Sequence, residues 1–108
     1  MNASATACQW SGSQEYCQVV LENSGSSGTA TTGNCTLSYG GYSYEGHTGP
    51  TTASATPPGA PQQLIPGNSV TAYCQSVDGR AAGSGAQIIG FIPLADGTEA
   101  SFSATASS

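Results

Sequence analysis

An all-β domain, an immunoglobulin-like sandwich of about seven strands held by disulfides, is the fold class this sequence predicts. Three observations lead there. Apolar residues recur with period two in several short stretches. No stretch of about ten residues carries a 3.6-residue period, and turn residues return roughly every 8–12 positions. With 108 residues, the chain is read as one domain spanning 1–108, with a single modest core.

The elements follow in order. Residues 3–10 are a first strand of small side chains ending at Trp10, whose expected role is core or rim packing rather than ligand stacking. In residues 16–22, Cys17, Val19 and Leu21 alternate with Gln18, Val20 and Glu22, the pattern of a half-buried strand. The Asn-Ser-Gly-Ser-Ser-Gly run at 23–28 ends it, because Gly and Asn tolerate the positive φ of turns. Residues 29–39 form another β stretch with Cys35, Leu37 and Tyr39 on one face, and Gly33-Asn34 marks a bulge or break. Residues 40–61 are so dense in Gly and Pro that a long excursion is expected there rather than a core strand. Its Tyr42 and Tyr44, with Tyr39 just before, are the candidate interaction patch, since Tyr is enriched at contact surfaces; the competing reading is that they cover a core edge.

A short strand at 62–66 precedes a Pro-Gly turn, and 69–76 alternates again, with Val70, Ala72 and Cys74 on one side. Asp78-Gly79-Arg80 and Gly83-Ser84-Gly85 are turns around a polar connector. Residues 86–92 are the most apolar run and are expected to be a central strand. An Asp96-Gly97 turn then leads into a last strand, 98–105, with Ala100, Phe102 and Ala104 on one face.

Composition narrows the function. Hydrophobic residues are 37% of the chain, below the usual ~45–50%, and charged residues 6%, against a norm of about 25%. There is no Lys, and Arg80 and His47 are the only Arg and His. The basic stripe that nucleic acid requires is missing, and so is the charge that would bind an anionic membrane surface. With every carboxylate neutralised the net charge would reach only about +3, so self-repulsion in acid stays small. The chain reads as adapted to acid or to close packing against copies of itself.

Four cysteines in a small β domain indicate two disulfides and an oxidising or extracellular setting. Cys8, Cys17, Cys35 and Cys74 contain no zinc-like pair spacing. Of the three possible pairings, Cys8–Cys17 with Cys35–Cys74 is favoured: the first pair flanks a turn-like Ser11-Gly12-Ser13, and the second pair sits at inward strand positions. No targeting, membrane-spanning or lipidation segment is visible, so the chain reads as a mature or trimmed fragment.

Catalysis is not expected. His47 lies among turn residues, a poor place for a preorganised base, and Asp96 and Glu99 sit at a hairpin turn where solvation is the ordinary role. Gly83-x-Gly85 lacks the Lys and helix of a phosphate loop. No cofactor or metal is expected.

Three stretches carry a resemblance. Val-Val-Leu-Glu-Asn-Ser-Gly-Ser at 19–26, Ile-Pro-Gly-Asn-Ser-Val-Thr at 65–71 and Ile-Pro-Leu-Ala-Asp-Gly-Thr-Glu-Ala-Ser-Phe-Ser-Ala-Thr at 92–105 together resemble the globular C-terminal domain of archaeal type IV pilins and related surface-filament subunits. That family implies an extracellular, cell-surface head domain cut from its N-terminal apolar helix. Through the missing helix it would join other filament subunits and the membrane, and it would act in assembly, adhesion or cell–cell contact. Glycans or a surface-layer protein would be its other partners. The resemblance also implies glycosylation, for which Asn2 (Asn-Ala-Ser) and Asn34 (Asn-Cys-Thr) are the acceptor candidates. Two alternatives stand beside it: a secreted neocarzinostatin-like small-molecule-binding protein, and an accessory domain that anchors an archaeal motility filament to the surface layer.

Overall fold

The structure, a computed structural model, describes residues 2–11, 14–51, 55, 59–77 and 80–107. Nine strands run through them: β1 (Asn2–Ser11), β2 (Gln14–Glu22), β3 (Thr29–Ala30), β4 (Asn34–Tyr39), β5 (Tyr42–Gly49), β6 (Gln63–Leu64), β7 (Ser69–Ser76), β8 (Gln87–Pro93) and β9 (Glu99–Thr105). Seven of them form one antiparallel sheet in the order β1-β2-β7-β5-β4-β8-β9, and β3 and β6 pair separately. The sequence-predicted turns at 12–13 and 78–79 lie outside the described residues.

Alternation builds the core as expected. Cys17, Val19 and Leu21 of β2 are buried, as are Cys35 and Leu37 of β4, Ala72 and Cys74 of β7, Ile88 and Ile92 of β8, and Ala100 and Phe102 of β9. β8 lies inside the sheet, between β4 and β9. Gly90 faces Phe102 across the β8–β9 pair, and a Cβ there would run into the Phe102 ring. The aromatic fills the space that the glycine leaves.

Residues 42–49 correct the expected excursion at 40–61. They form β5, a strand inside the seven-stranded sheet. Its first part pairs with β4, from Tyr39↔Tyr42 to Asn34↔His47, and its last part pairs with β7, from Gly46↔Ser76 to Gly49↔Tyr73. β5 thus passes from one layer of the sandwich to the other, the way a corner strand does. The glycine that argued against a strand is what permits this one. A Cβ on Gly46 would lie 2.5 Å from the Gln75 carbonyl oxygen and 3.1 Å from Cys35 Sγ. Proline enters only at Pro50, after the strand has ended. Beyond it the chain returns along β5, with the Ala60 N–H donating to the Thr48 carbonyl at 2.8 Å. Residues 52–54 and 56–58 lie outside the described residues.

Both disulfides are explained by this geometry. Cys8 and Cys17 face each other across β1 and β2 with Cα atoms 4.0 Å apart. The Cys8 carbonyl accepts from the Ser107 N–H, so it points away from β2. The pair is therefore a non-hydrogen-bonded one, the closer of the two antiparallel pair types. Cys35 on β4 and Cys74 on β7 have β5 between them, and in a flat sheet they would be roughly 9.5 Å apart. Their Cα atoms are 6.1 Å apart, because the sheet folds over at β5 and brings the two layers together. The outcome is a rolled, barrel-like sandwich.

At one end Asn23 gathers the loops. Its side-chain amide donates to the Ser27 and Leu64 carbonyls at 2.9 Å each, and its Oδ1 accepts from the Gly25 N–H at 3.0 Å. Asn23 is thus a satisfied, buried anchor beneath an exposed turn.

Candidate interaction face

The outward side chains of β5, β4, β8 and β9 stand in cross-strand rows. One row reads Ser43, Ser38, Ile89, Ser103; the next reads Glu45, Thr36, Phe91, Ser101. Residues directly opposite on one face of a sheet stand within about 5.5 Å of each other and form a continuous row. Ser38 and Ser43 are hydrogen-bonded through their hydroxyls at 3.0 Å. Ile89 stands 45% exposed in the middle of this hydroxyl field, and Tyr42 is 65% exposed at the turn beside it. A depression of about 430 Å³ lies between them, floored by Gly40 and Gly41 and edged by Gln87. A groove of about 590 Å³ lies on the far side of Ile89, toward Ala3 and Ala5 of β1. Among the described residues no charged side chain lines either one. Ile89 and Tyr42 thus stand as an apolar ridge among hydroxyls, with Glu45 the charge in the adjacent row.

The three tyrosines are not one patch. Tyr39 and Tyr44 stack with ring centroids 4.6 Å apart, Tyr39 is buried, and its hydroxyl donates to the Arg80 carbonyl. These two cover a core edge, and Tyr42 alone of the three is fully presented. The sequence already carried the reason, since Tyr39 shares the inward phase of Cys35 and Leu37. Ile89, the centre of the face, was hidden inside an apolar run that reads as buried throughout.

The remaining polar candidates have local roles. The His47 ring Nδ1 lies 3.3 Å from the Gly33 carbonyl oxygen. Asp96 Oδ1 accepts from the Thr98 N–H at 3.0 Å and from the Thr98 hydroxyl at 2.6 Å, which caps the hairpin turn and holds its carboxyl below the ordinary range. Glu99 opens β9 on the exposed side. Asn2 and Asn34 are both exposed. Among the described residues no group of three or more His, Cys, Asp or Glu is placed to hold a metal ion.

One chemically distinctive residue escaped the sequence reading. Glu15 is fully buried beneath the connector after β7. Its Oε1 accepts from the Ala82 N–H at 2.9 Å, and its Oε2 has no hydrogen-bond partner among the described residues. Burial pushes its carboxyl above the ordinary 4.5, against the smaller opposing pull of the Ala82 N–H. Burial, and after it the charge of Glu15, pushes the Tyr39 hydroxyl up to about 12.

The sign of the pH effect follows. A carboxyl whose folded pKa is raised binds its proton more tightly in the fold than in the unfolded chain. Its contribution is complete in acid and is lost as pH rises from about 4.5 through the raised value. Asp96 works in the opposite direction, but it is exposed and its effect is screened. Glu15→Gln is therefore expected to leave stability at pH 3 unchanged and to raise it at pH 7 by about 1–2 kcal/mol. Paired denaturant titrations at the two pH values check this.

No protein-family model matches the chain, and no curated protein matches it in sequence. In fold it is similar to the archaellum periplasmic stator protein FlaG from Sulfolobus acidocaldarius, with a TM-score of 0.59 and 13% sequence identity over 95% of this chain and 98% of that one. At that identity the likeness establishes a shared fold.

Proposed function

We propose that this chain is a non-catalytic envelope domain of an archaeal surface-filament machine, serving as a stator-like anchor rather than as a filament subunit. The observation that carries the reading is the likeness of nearly the whole chain to nearly the whole of a stator protein. Two features of the chain support it. The Cys8–Cys17 and Cys35–Cys74 disulfides suit a compartment outside the cytoplasm. The largely uncharged face around Tyr42 and Ile89 offers a contact surface. A stator must hold against something fixed, and the surface layer or a neighbouring envelope protein is the partner class this face fits. Contacts made by Ser, Thr, Tyr and Ile do not weaken in acid or high salt as ion pairs do. Adhesion and glycosylation at Asn2 or Asn34 belong to the pilin-type resemblance and have no further support.

Deleting the gene in the producing organism separates the two roles. An anchor predicts filaments in normal number on cells that no longer swim. Loss of the filaments themselves would assign the chain to the filament and overturn the stator reading.

A further inference from the structure

Glu15 is the one buried carboxyl group among the described residues, and it is held in place. β2 is paired on both sides, with β1 and β7, and the Glu15 N–H donates to the Ser76 hydroxyl at 3.2 Å. What lies over it is slighter. The strap 80–86 is tethered at both ends. The Arg80 carbonyl accepts from the Tyr39 hydroxyl, and the Gly85 N–H donates to the Ala106 carbonyl at 2.8 Å. Midway, the Ala82 N–H donates to Glu15 Oε1 at 2.9 Å, and the Ala82 methyl packs on the edge of the core. Arg80, Ala81, Gly83, Ser84 and Gly85 are exposed. Gly83 and Gly85 both have φ +88° and open space around them, so the strap has hinges on one side of Ala82.

We infer that Glu15 is a proton-operated latch: neutral, it holds Ala82 and the middle of the strap down, and ionised, it lets them lift while both tethers and the sheet stay in place. The Oε2 atom, which has no hydrogen-bond partner among the described residues, is the reason. A neutral carboxyl leaves one polar group unpaired there, whereas an ionised one leaves a charge, which costs far more in a dry site. The carboxylate would hold the Ala82 N–H more strongly, but burial is the larger of the two effects, so release comes as pH rises above the ordinary 4.5. Relief means unfolding the sheet or lifting the strap to admit water. The strap has one hydrogen bond and one methyl to give up, against whole strand ladders, so it opens first. The other titratable groups on this side do not supply a counter-charge. Tyr39, pushed up to about 12, stays protonated, and Tyr44 is stacked on it. The Arg80 and Glu45 side chains are exposed, β1 and β7 contain no charged residue, and Asp78 lies outside the described residues. The strap leads directly into Gln87, which edges the depression beside Tyr42. The latch operates whether or not the chain serves as an anchor.

The test is amide hydrogen exchange of the whole chain at about pH 3.5 and about pH 7.5, on either side of the ordinary carboxyl value, each rate taken relative to an unstructured peptide at the same pH. The expected result is an Ala82 amide protected at least about tenfold in acid and unprotected at the higher pH, while Val19 and Ala72 in the ladders stay protected at least about a thousandfold. Gly85 keeps its acid-state protection. In Glu15→Gln, which keeps the acceptor and cannot ionise, Ala82 is expected to be protected at both pH values. Equal protection of Ala82 in the wild type at both pH values overturns the inference. So does loss of protection at Ala82 and in the ladders together, or the same pH response in the folded variant. If the variant does not fold, a wild-type titration followed by NMR decides: the Glu15 carboxyl carbon and the Ala82 amide are expected to shift with one midpoint, and separate midpoints overturn the latch.

Discussion

Replacing Cys35 and Cys74 together by Ala is expected to cost about 4 kcal/mol, and replacing Cys8 and Cys17 together about 2.7 kcal/mol. Cross-linking removes conformational freedom from the unfolded chain in proportion to the logarithm of the loop it closes, and these estimates follow from that relation. The loops differ, with sequence separations of 39 and 9. The native contacts point the same way. The Cys35–Cys74 bridge joins the two layers where the sheet turns over at β5, whereas Cys8–Cys17 staples strands that already share a ladder. A small domain has about 5–15 kcal/mol of stability in all, so losing the longer bridge leaves it marginal. Urea titrations of the two double variants check the order. A larger loss for Cys8–Cys17 than for Cys35–Cys74 would contradict the layered arrangement.

Gly46→Ala is expected to cost about 3 kcal/mol, toward the upper end of what overpacking a tight site costs. The new methyl would lie 2.5 Å from the Gln75 carbonyl oxygen, which belongs to the β7 ladder and cannot rotate away, and 3.1 Å from the Cys35 sulfur. Relief requires β5 to separate from β7 at the corner. Gly41→Ala supplies the contrast. Gly41 has φ +83° in the β4–β5 turn and open space where its Cβ would go, so only the left-handed backbone penalty of about 1 kcal/mol applies. Thermal melts of the two single variants separate close packing from backbone strain. Equal losses would mean that β5 is not wedged between the layers.

Strands with clean alternation were legible in the sequence: 16–22 within β2, 69–76 as β7 and 98–105 around β9 all show their inward sets. What failed to show has a physical cause in each case. β5 was invisible because the glycines that usually mark loops are here what lets a strand pass beneath a disulfide, and nothing local distinguishes the two uses. Glu15 was readable in principle. It stands two residues before Cys17, in phase with Cys17, Val19 and Leu21, and is buried with them. Its polarity argued for an outward position, but burial followed the strand's phase. Ile89 is the converse case, an apolar residue placed outward by the phase of Ile88, Gly90 and Ile92. The face was legible as a set of strand positions, and its exposure became visible only once β4, β8 and β9 were aligned.

The stator reading and the largely uncharged face meet in one measurement. A deletion strain is complemented with the wild-type chain or with Ile89→Lys, whose exposed position leaves the core untouched. Filaments per cell and swimming speed are then scored together. The account predicts normal filament numbers in both strains, with swimming restored by the wild type and reduced severalfold by the lysine, which buries a charge in an apolar contact. Full swimming with Ile89→Lys would contradict the assignment of the contact to this face, and missing filaments in the uncomplemented deletion strain would contradict the anchoring role.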